Sequence, residues 1–137
     1  MQKVAGSKIF SLLDGFAGYN QALVFHNDQS STSFRTPWRT FAYKKMPFGL
    51  INIGATFQRA MDITFIGLTN ECVVGYLDDV TVYSRKRSDH VKHLRHIFER
   101  CRKYKISLNP KKIIFGLTEG KLLGFIVSKE GITIDLE

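Results

Sequence analysis

Apolar residues along the chain follow two periods, one typical of strands and one typical of helices. Mostly apolar or β-favouring runs predict strands or extended segments at residues 9–13, 22–25, 72–76, 80–83, 111–115, 121–127 and 132–134. The runs at 72–76 and 80–83 are close enough to form a hairpin. Residues 32–43, which Pro37 interrupts, predict another hairpin, with Arg35 and Arg39 as its basic side chains.

Two segments show the helical period. In residues 54–68 the apolar positions fall three and four residues apart, and the second segment follows Ser88 and Asp89, which we expect to cap its first turn. The predicted apolar stripes are Phe57, Met61, Thr64, Phe65 and Leu68, and then Val91, Leu94, Ile97, Phe98, Cys101 and Tyr104. His90, His93 and His96 lie in the second helix on a basic face without an acidic partner, so we expect a solvated surface there and not a metal site.

The order strand, helix, hairpin, helix and strand predicts an α+β fold. It is the ferredoxin-like split β-α-β arrangement, with an antiparallel sheet and two long helices on one of its faces. A chain of 137 residues with 44% hydrophobic content can bury one core. We therefore expect a single domain over residues 1–137.

Charge and cysteine content narrow the range of partners. The 20 Lys and Arg against 12 Asp and Glu give a net charge of +8, which favours polyanions such as nucleic acid or phosphorylated ligands. Cys72 and Cys101 stand singly, which indicates free thiols in a reducing compartment. No apolar stretch approaches the roughly 20 residues of a membrane span, so we expect an intracellular protein, cytoplasmic or nuclear, without membrane contact.

Three aspartates are the candidate chemistry. Asp78 and Asp79 fall in the turn between two apolar runs, and Asp14 ends the first one. Two adjacent carboxylates repel each other, by roughly 1 kcal/mol at about 4 Å in water, so a divalent cation between them would be stabilising. Hard carboxylate oxygens suit Mg²⁺, and two such ions promote in-line displacement at phosphorus. The alternative, which remains open from these residues, is that the Asp pair only caps its own turn.

Six short motifs occur in order along the chain. They are residues 10–14 with 18–21 (FSLLD and GYNQ), 46–50 (MPFGL), 55–59 (ATFQR), 76–79 (YLDD), 108–112 (LNPKK) and 123–124 (LG). Together they resemble the palm of a gypsy-type LTR-retrotransposon reverse transcriptase. The resemblance implies an RNA-directed DNA polymerase, cut from a longer polyprotein, that consists of a palm with partial fingers and lacks the thumb and the N-terminal fingers.

The resemblance also implies roles for individual residues. Asp14, Asp78 and Asp79 would be the catalytic metal ligands for two Mg²⁺ ions, with Mn²⁺ as a substitute; Asp14 and Asp78 would bridge the ions and Asp79 would support one. Lys112 would protonate the leaving pyrophosphate. The implied nucleotide-binding residues are Gly15, Ala17, Gly18, Tyr19 and Phe48, with Tyr19 as the gate against ribonucleotides. The implied primer and template contacts are Tyr76, Leu123, Gly124 and Phe125.

The implied partners are an RNA or DNA template with its primer, a dNTP, and the remaining fingers, thumb and RNase H segments of the parent polyprotein. Gly75 departs from the family pattern, because an apolar residue is usual before the Tyr of the metal hairpin, and glycine in a strand weakens it. Two alternatives are kept open. One is a non-catalytic nucleic-acid-binding module on the same split β-α-β sheet, and the other is an inert remnant of a retroelement.

Overall fold

The computed structural model describes residues 4–15, 21–47, 49–122 and 125–134. Its strands are β1 (Ile9–Asp14), β2 (Phe34–Arg35), β3 (Thr40–Phe41), β4 (Val73–Tyr76), β5 (Asp79–Ser84), β6 (Ile114–Leu117), β7 (Glu119–Leu122), β8 (Phe125–Ser128) and β9 (Ile132–Ile134). The helices are α1 (Ile53–Thr64) and α2 (Arg87–Lys103), and a 3₁₀ helix covers His26–Thr32.

The central sheet has the order β4-β5-β1-β6, and each pair in it is antiparallel. Its register places Leu13 opposite Val80 and Asp14 opposite Asp79, so the end of β1 meets the start of β5. Because β4 and β5 are joined by a two-residue turn, that turn lies at the same end of the sheet. The topology therefore collects the ends of three strands at one edge.

Both helices cover the same face of the sheet. Apolar side chains of α1 and α2 pack in one core with side chains from three strands: Phe57, Met61, Phe65, Ile97 and Cys101 against Leu13, Val73, Val80 and Val82. Burying a side chain of this size contributes roughly 1.5–3 kcal/mol. The α+β fold with two helices on one face of an antiparallel sheet, predicted from the sequence, is confirmed.

The opposite face of the sheet is covered by the sheet of β7, β8 and β9. A second core joins Val4, Phe10 and Tyr83 to Val127 of β8. Strand β7 approaches β1 so closely that a Cβ at Gly120 would lie 2.9 Å from Cδ1 of Phe10. Only glycine fits this crossing without displacing a buried ring.

Several predicted boundaries differ from the structure. Helix α2 begins at Arg87, and Lys86 precedes it without a side-chain cap, while the Ser88 hydroxyl donates to the Asp89 carboxylate at 3.3 Å instead. The predicted cap by Ser88 and Asp89 is therefore wrong. Val91 was expected in the buried stripe, but its side chain is 68% exposed. The segment predicted as extended at 22–25 forms an isolated antiparallel bridge between Leu23 and Lys45 and not a regular strand.

The prediction of a solvated face for the three histidines is wrong for His90. His90 is buried, with its Nε2 2.7 Å from Ser11 Oγ on β1 and its Nδ1 2.8 Å from Ser84 Oγ on β5. Ser84 Oγ also lies 2.7 Å from His93 Nδ1. The two small serines leave room for an imidazole where α2 crosses the strands. Burial lowers the pKa of His90 from its usual 6.5, and the neighbouring His93 lowers it further.

Two further expectations can be compared with the described residues. Cys72 and Cys101 are both buried free thiols, as predicted, and burial raises the pKa of Cys101 to about 11. Within the part of the chain that the structure describes, neither helix is both long and apolar enough to cross a lipid bilayer.

Candidate active site

The three aspartates lie together at one end of the central sheet. Asp14 is the last residue of β1 and Asp79 the first of β5, and they are direct cross-strand partners. Asp78 precedes Asp79 in the β4–β5 turn, and its carbonyl accepts a 2.7 Å hydrogen bond from the Gly15 amide. The predicted approach of Asp14 to the Asp78–Asp79 pair, across 64 positions (78 minus 14), is confirmed at the backbone.

The turn that holds Asp78 is supported from α1. Leu77 has a φ of 54°, a left-handed conformation that costs a branched residue roughly 1–3 kcal/mol. The side chain of Gln58 offsets this cost, because its Oε1 accepts a hydrogen bond of 2.8 Å from the Leu77 amide. Its Nε2 donates to Asp62 Oδ1 at 2.9 Å and to the Gly75 carbonyl at 3.3 Å. From the sequence Gln58 had no assigned role; its place in the ATFQR motif was the available signal.

Lys112 reaches the aspartates from the segment after α2. The Asn109 amide donates to the Asp14 carbonyl at 2.7 Å, and the Lys112 amide donates to the Asn109 carbonyl at 3.1 Å. This turn brings Lys112 Nζ within 3.2 Å of Asp14 Oδ2, an ion pair across 98 positions. Gln21 fixes the same segment, since its side chain both accepts from and donates to the Ser107 backbone. The sequence did not assign this role to Gln21.

The electrostatics are those of carboxylates with too little counter-charge. Although Asp79 is exposed by surface area, partial desolvation raises the pKa of its carboxyl above the usual 3.8. Asp78 and Asp14 raise that pKa further, and Lys112 alone acts in the opposite direction. A negative charge on Asp79 is thus disfavoured by its neighbours. An added cation would relieve this repulsion.

The donor chemistry fits a hard divalent cation, although the side chains are not yet gathered around one point. No three His, Cys, Asp or Glu side chains among the described residues are placed to hold a metal ion. Asp14 is paired with Lys112 instead, so the Lys112 ammonium supplies the positive charge beside this carboxylate. Carboxylate oxygens open to water, together with mutual repulsion, are the setting in which Mg²⁺ binds through one or two protein ligands.

The structure brings some other predicted site residues to this edge and corrects one. The Gly15 amide was expected to bind a triphosphate, but that prediction is wrong because the amide is buried and donates to Asp78. Tyr76 pairs with Asp79 across the hairpin and is 49% exposed, while Phe125 begins β8 and is half-buried. The remaining predicted residues lie outside the described ones: Ala17, Gly18, Tyr19, Phe48, Leu123 and Gly124.

An antiparallel sheet backed by two helices, with paired carboxylates at the turn of its β4–β5 hairpin, defines the palm class of polymerase folds. Residues 1–127 match the family described as "Reverse transcriptase (RNA-dependent DNA polymerase)". The chain belongs to this family. The gypsy-type resemblance seen in the sequence motifs is confirmed by the relatives that follow.

The chain is 32% identical over 134 residues to the transposon Tf2-3 polyprotein of Schizosaccharomyces pombe, which covers 97% of this chain and 10% of that protein. It is 33% identical over 131 residues to the retrovirus-related Pol polyprotein from transposon gypsy of Drosophila melanogaster. That match covers 96% of this chain and 13% of the Pol polyprotein. The chain therefore spans about a tenth of the length of these curated relatives.

Solved structures show the same fold. The foamy viral protease-reverse transcriptase in complex with an RNA/DNA hybrid superposes with a TM-score of 0.84 at 21% identity, covering 96% of this chain and 18% of that chain. A second foamy viral structure, in complex with double-stranded DNA, superposes with a TM-score of 0.85 at 21% identity. It covers 96% of this chain and 23% of the foamy viral chain. At this identity the likeness establishes the palm architecture.

Proposed function

We propose that this chain is the catalytic palm of an RNA-directed DNA polymerase, which transfers a nucleotide from a dNTP to a primer 3′-hydroxyl on an RNA or DNA template. The observation that carries the proposal is the cross-strand pair of Asp14 and Asp79 with Asp78 beside it. A non-catalytic nucleic-acid-binding sheet has no use for three carboxylates at one edge, because they would repel the phosphate backbone.

Asp14, Asp78 and Asp79 would hold two Mg²⁺ ions, or Mn²⁺ in their place. Asp14 and Asp78 would supply the main oxygen ligands and Asp79 a supporting one. When bound, such a pair of ions stabilises the attacking and the leaving oxygens of an in-line displacement at phosphorus. The protein's own contribution is to keep the carboxylates in register, through the β1–β5 pairing and the hydrogen bonds from Gln58 and Gly15.

The proposed reaction forms a bond between the primer 3′-oxygen and the α-phosphorus and breaks the bond from that phosphorus to pyrophosphate. The 3′-hydroxyl proton passes to water, and the Lys112 ammonium gives a proton to the pyrophosphate. Its position beside Asp14 and its 65% exposure place Nζ at the edge of the site, where a leaving group could meet it.

The other predicted residues keep their proposed roles. Ala17 and Gly18 would offer backbone amides to the triphosphate, Tyr19 would exclude a ribose 2′-hydroxyl, and Phe48 would lie beneath the nucleotide or templating base. The proposed contacts with primer and template are Tyr76, Leu123, Gly124 and Phe125. We propose a single domain over residues 1–137 that works with fingers, thumb and RNase H segments of a parent polyprotein.

The direct functional test is primer extension on an RNA template with Mg²⁺ and deoxynucleotides, beside an Asp78→Asn variant. We expect incorporation that the substitution abolishes, with the folded state of the variant confirmed by its thermal transition. If the chain alone shows none, fingers and thumb segments from the Tf2-3 relative are added. Extension that Asp78→Asn retains, or none with those segments present, would refute the proposal.

A further inference from the structure

One stretch of the chain is basic and contains no negative charge. Between Asp28 and Asp62 the sequence contains no acidic residue, yet it contains five basic ones: Arg35, Arg39, Lys44, Lys45 and Arg59. This stretch therefore has a net charge of +5. Two of these residues, Arg35 and Arg39, belong to the β2–β3 hairpin, which lies outside the catalytic edge and which the proposed function does not yet use.

The same hairpin carries an aromatic surface. Phe34 and Phe41 face each other across the strands, with ring centroids 5.9 Å apart, and Tyr43 lies 5.2 Å from Phe34. All three rings are exposed by about two-fifths or more, and Trp38 at the hairpin tip is 85% exposed. Exposed aromatic groups of this density are uncommon on a protein surface unless they contact a partner.

The tip is held in one conformation. The Thr36 amide donates to the Arg39 carbonyl at 2.9 Å, the Thr36 hydroxyl donates to the same carbonyl at 2.9 Å, and the Arg39 amide donates back to that hydroxyl at 3.1 Å. Pro37 restricts the turn further. The Trp38 side chain thus extends from a fixed backbone, so binding a partner through it would lose little backbone entropy.

We propose that this hairpin is a binding site for single-stranded nucleic acid, in which Trp38 stacks on a base while Arg35 and Arg39 contact phosphates. The proposal rests on the proposed function and extends it, since the strand would be the unpaired template outside the catalytic edge. A hairpin with exposed flat rings and basic residues matches a single strand because an unpaired base exposes its face, which a duplex hides. The absence of any acidic residue over the whole stretch gives the charge complementarity.

Trp38 is the single tryptophan of the chain, so intrinsic fluorescence reports on this site directly. We expect a thymidine oligonucleotide of about 16 nucleotides to quench it in a saturable way, and less strongly as salt rises from about 50 to 200 mM. In fluorescence anisotropy with a labelled oligonucleotide, Trp38→Ala should weaken binding by about 5- to 150-fold, the loss expected for one stacked base. Trp38→Phe should keep most of the affinity, because it keeps a stacking ring.

Tyr104→Ala is the matched control. Tyr104 is an exposed aromatic residue beside a lysine, with Lys103 Nζ 5.6 Å from its ring centroid, and it lies at the end of α2, away from the hairpin in sequence. Its loss should leave binding unchanged. An equal loss in Tyr104→Ala and Trp38→Ala, or binding without quenching of Trp38, would overturn the proposal, as would self-association through Trp38 without nucleic-acid binding.

The two proposals fail separately in this assay. Without divalent ions, the oligonucleotide should quench the Trp38 fluorescence of Asp78→Asn as strongly as that of the wild type, because the hairpin does not include the aspartates. Quenching together with no primer extension, when the fingers and thumb segments are present, would refute the polymerase proposal and leave the hairpin site standing. Primer extension by a chain in which Trp38→Ala binds single strands as tightly as the wild type would refute the hairpin site alone.

Discussion

At the scale of residues, the pairing of Lys112 with Asp14 decides how ready the site is for a cation. The Lys112 side chain is 65% exposed and that of Asp14 only 16%. Because the lysine end of the pair is open to solvent, water screens the attraction, and we expect the pair to contribute about 1 kcal/mol or less. A divalent ion can then displace the ammonium at little cost, which would leave Lys112 available for its proposed role at the leaving group.

Lys112→Met should therefore strengthen divalent-ion binding, because Asp14 loses its competing cation. We expect Mn²⁺ to bind up to about fivefold more tightly, as measured by the loss of the free-ion electron paramagnetic resonance signal. Lys111→Met is the matched control, since it removes the same charge from an adjacent exposed residue that has no ion pair with Asp14 among the described contacts. Equal affinity in wild type and Lys112→Met, or the same gain in both variants, would contradict the displacement of Lys112.

The sequence motifs were enough to nominate Asp14, Asp78 and Asp79, whose carboxylates are visible in the residue types, and to nominate Lys112 through the family resemblance. They were not enough for Gln58 or for the amide of Gly15. Both act through hydrogen bonds to backbone groups, 19 positions away for Gln58 and Leu77, and such partners follow only from the fold. A free amide and an engaged amide look the same in a sequence.

At the scale of elements, two strand glycines have opposite surroundings. A Cβ at Gly75 in β4 would lie 3.9 Å from Met61 and from Phe65, an ordinary contact with the core. A Cβ at Gly120 in β7 would press into Phe10, which is fully buried and has no room to move. The glycine at position 75 therefore lowers the stability of β4 without being required by its surroundings. Gly120, in contrast, is needed to bring the two sheets together.

Gly75→Ala should raise the free energy of unfolding by about 0.5–1 kcal/mol, since alanine loses less conformational entropy in a strand. Gly120→Ala should lower it by about 1–3 kcal/mol through overpacking. Urea denaturation of both variants measures the difference. A stabilised Gly120→Ala variant would mean that β7 does not approach Phe10 as described.

The contact of α2 with the sheet includes a buried imidazole, and burial lowers its pKa. His90 sits between Ser11 and Ser84, with His93 as the other titratable group beside it. The hydrophobic period correctly predicted α2, but it could not distinguish a buried histidine from a solvated one. That distinction depends on two serines 73 positions apart (84 minus 11), which only strand pairing brings together.

Stability should consequently fall when the pH is lowered below about 6.5. Because the folded-state pKa of His90 is lowered, the unfolded chain binds more protons in that range, and acid favours unfolding. Urea denaturation between about pH 7.5 and 5 should show this loss in the wild type and a smaller slope in His90→Gln. His96→Gln, on the same helix, should keep the wild-type slope; an unchanged slope in His90→Gln would contradict the assignment.

At the scale of the whole molecule, the described chain divides into a packed palm and an exposed hairpin. The helices and two sheets enclose two cores, whereas β2 and β3 contain no buried residue. At the edge that holds the aspartates, Asp79 is exposed to solvent. The family and the α+β fold were predictable from motifs in register and from the hydrophobic periods. The ion pair across 98 positions was not, because side-chain contacts between distant segments leave no period in the sequence.

Isothermal titration calorimetry with Mg²⁺ shows whether the three aspartates at one sheet edge form a divalent-metal site. The titration is made in the presence of a primer, an RNA template and a nucleotide, and the binding of Mg²⁺ to the nucleic acid and nucleotide alone is subtracted. We expect protein-dependent binding by the wild type and by Asp89→Asn, whose carboxyl lies in the first turn of α2, and none by Asp14→Asn or Asp78→Asn. Equal protein-dependent binding by all four proteins, or none by the wild type, would show that the aspartates are not the metal ligands.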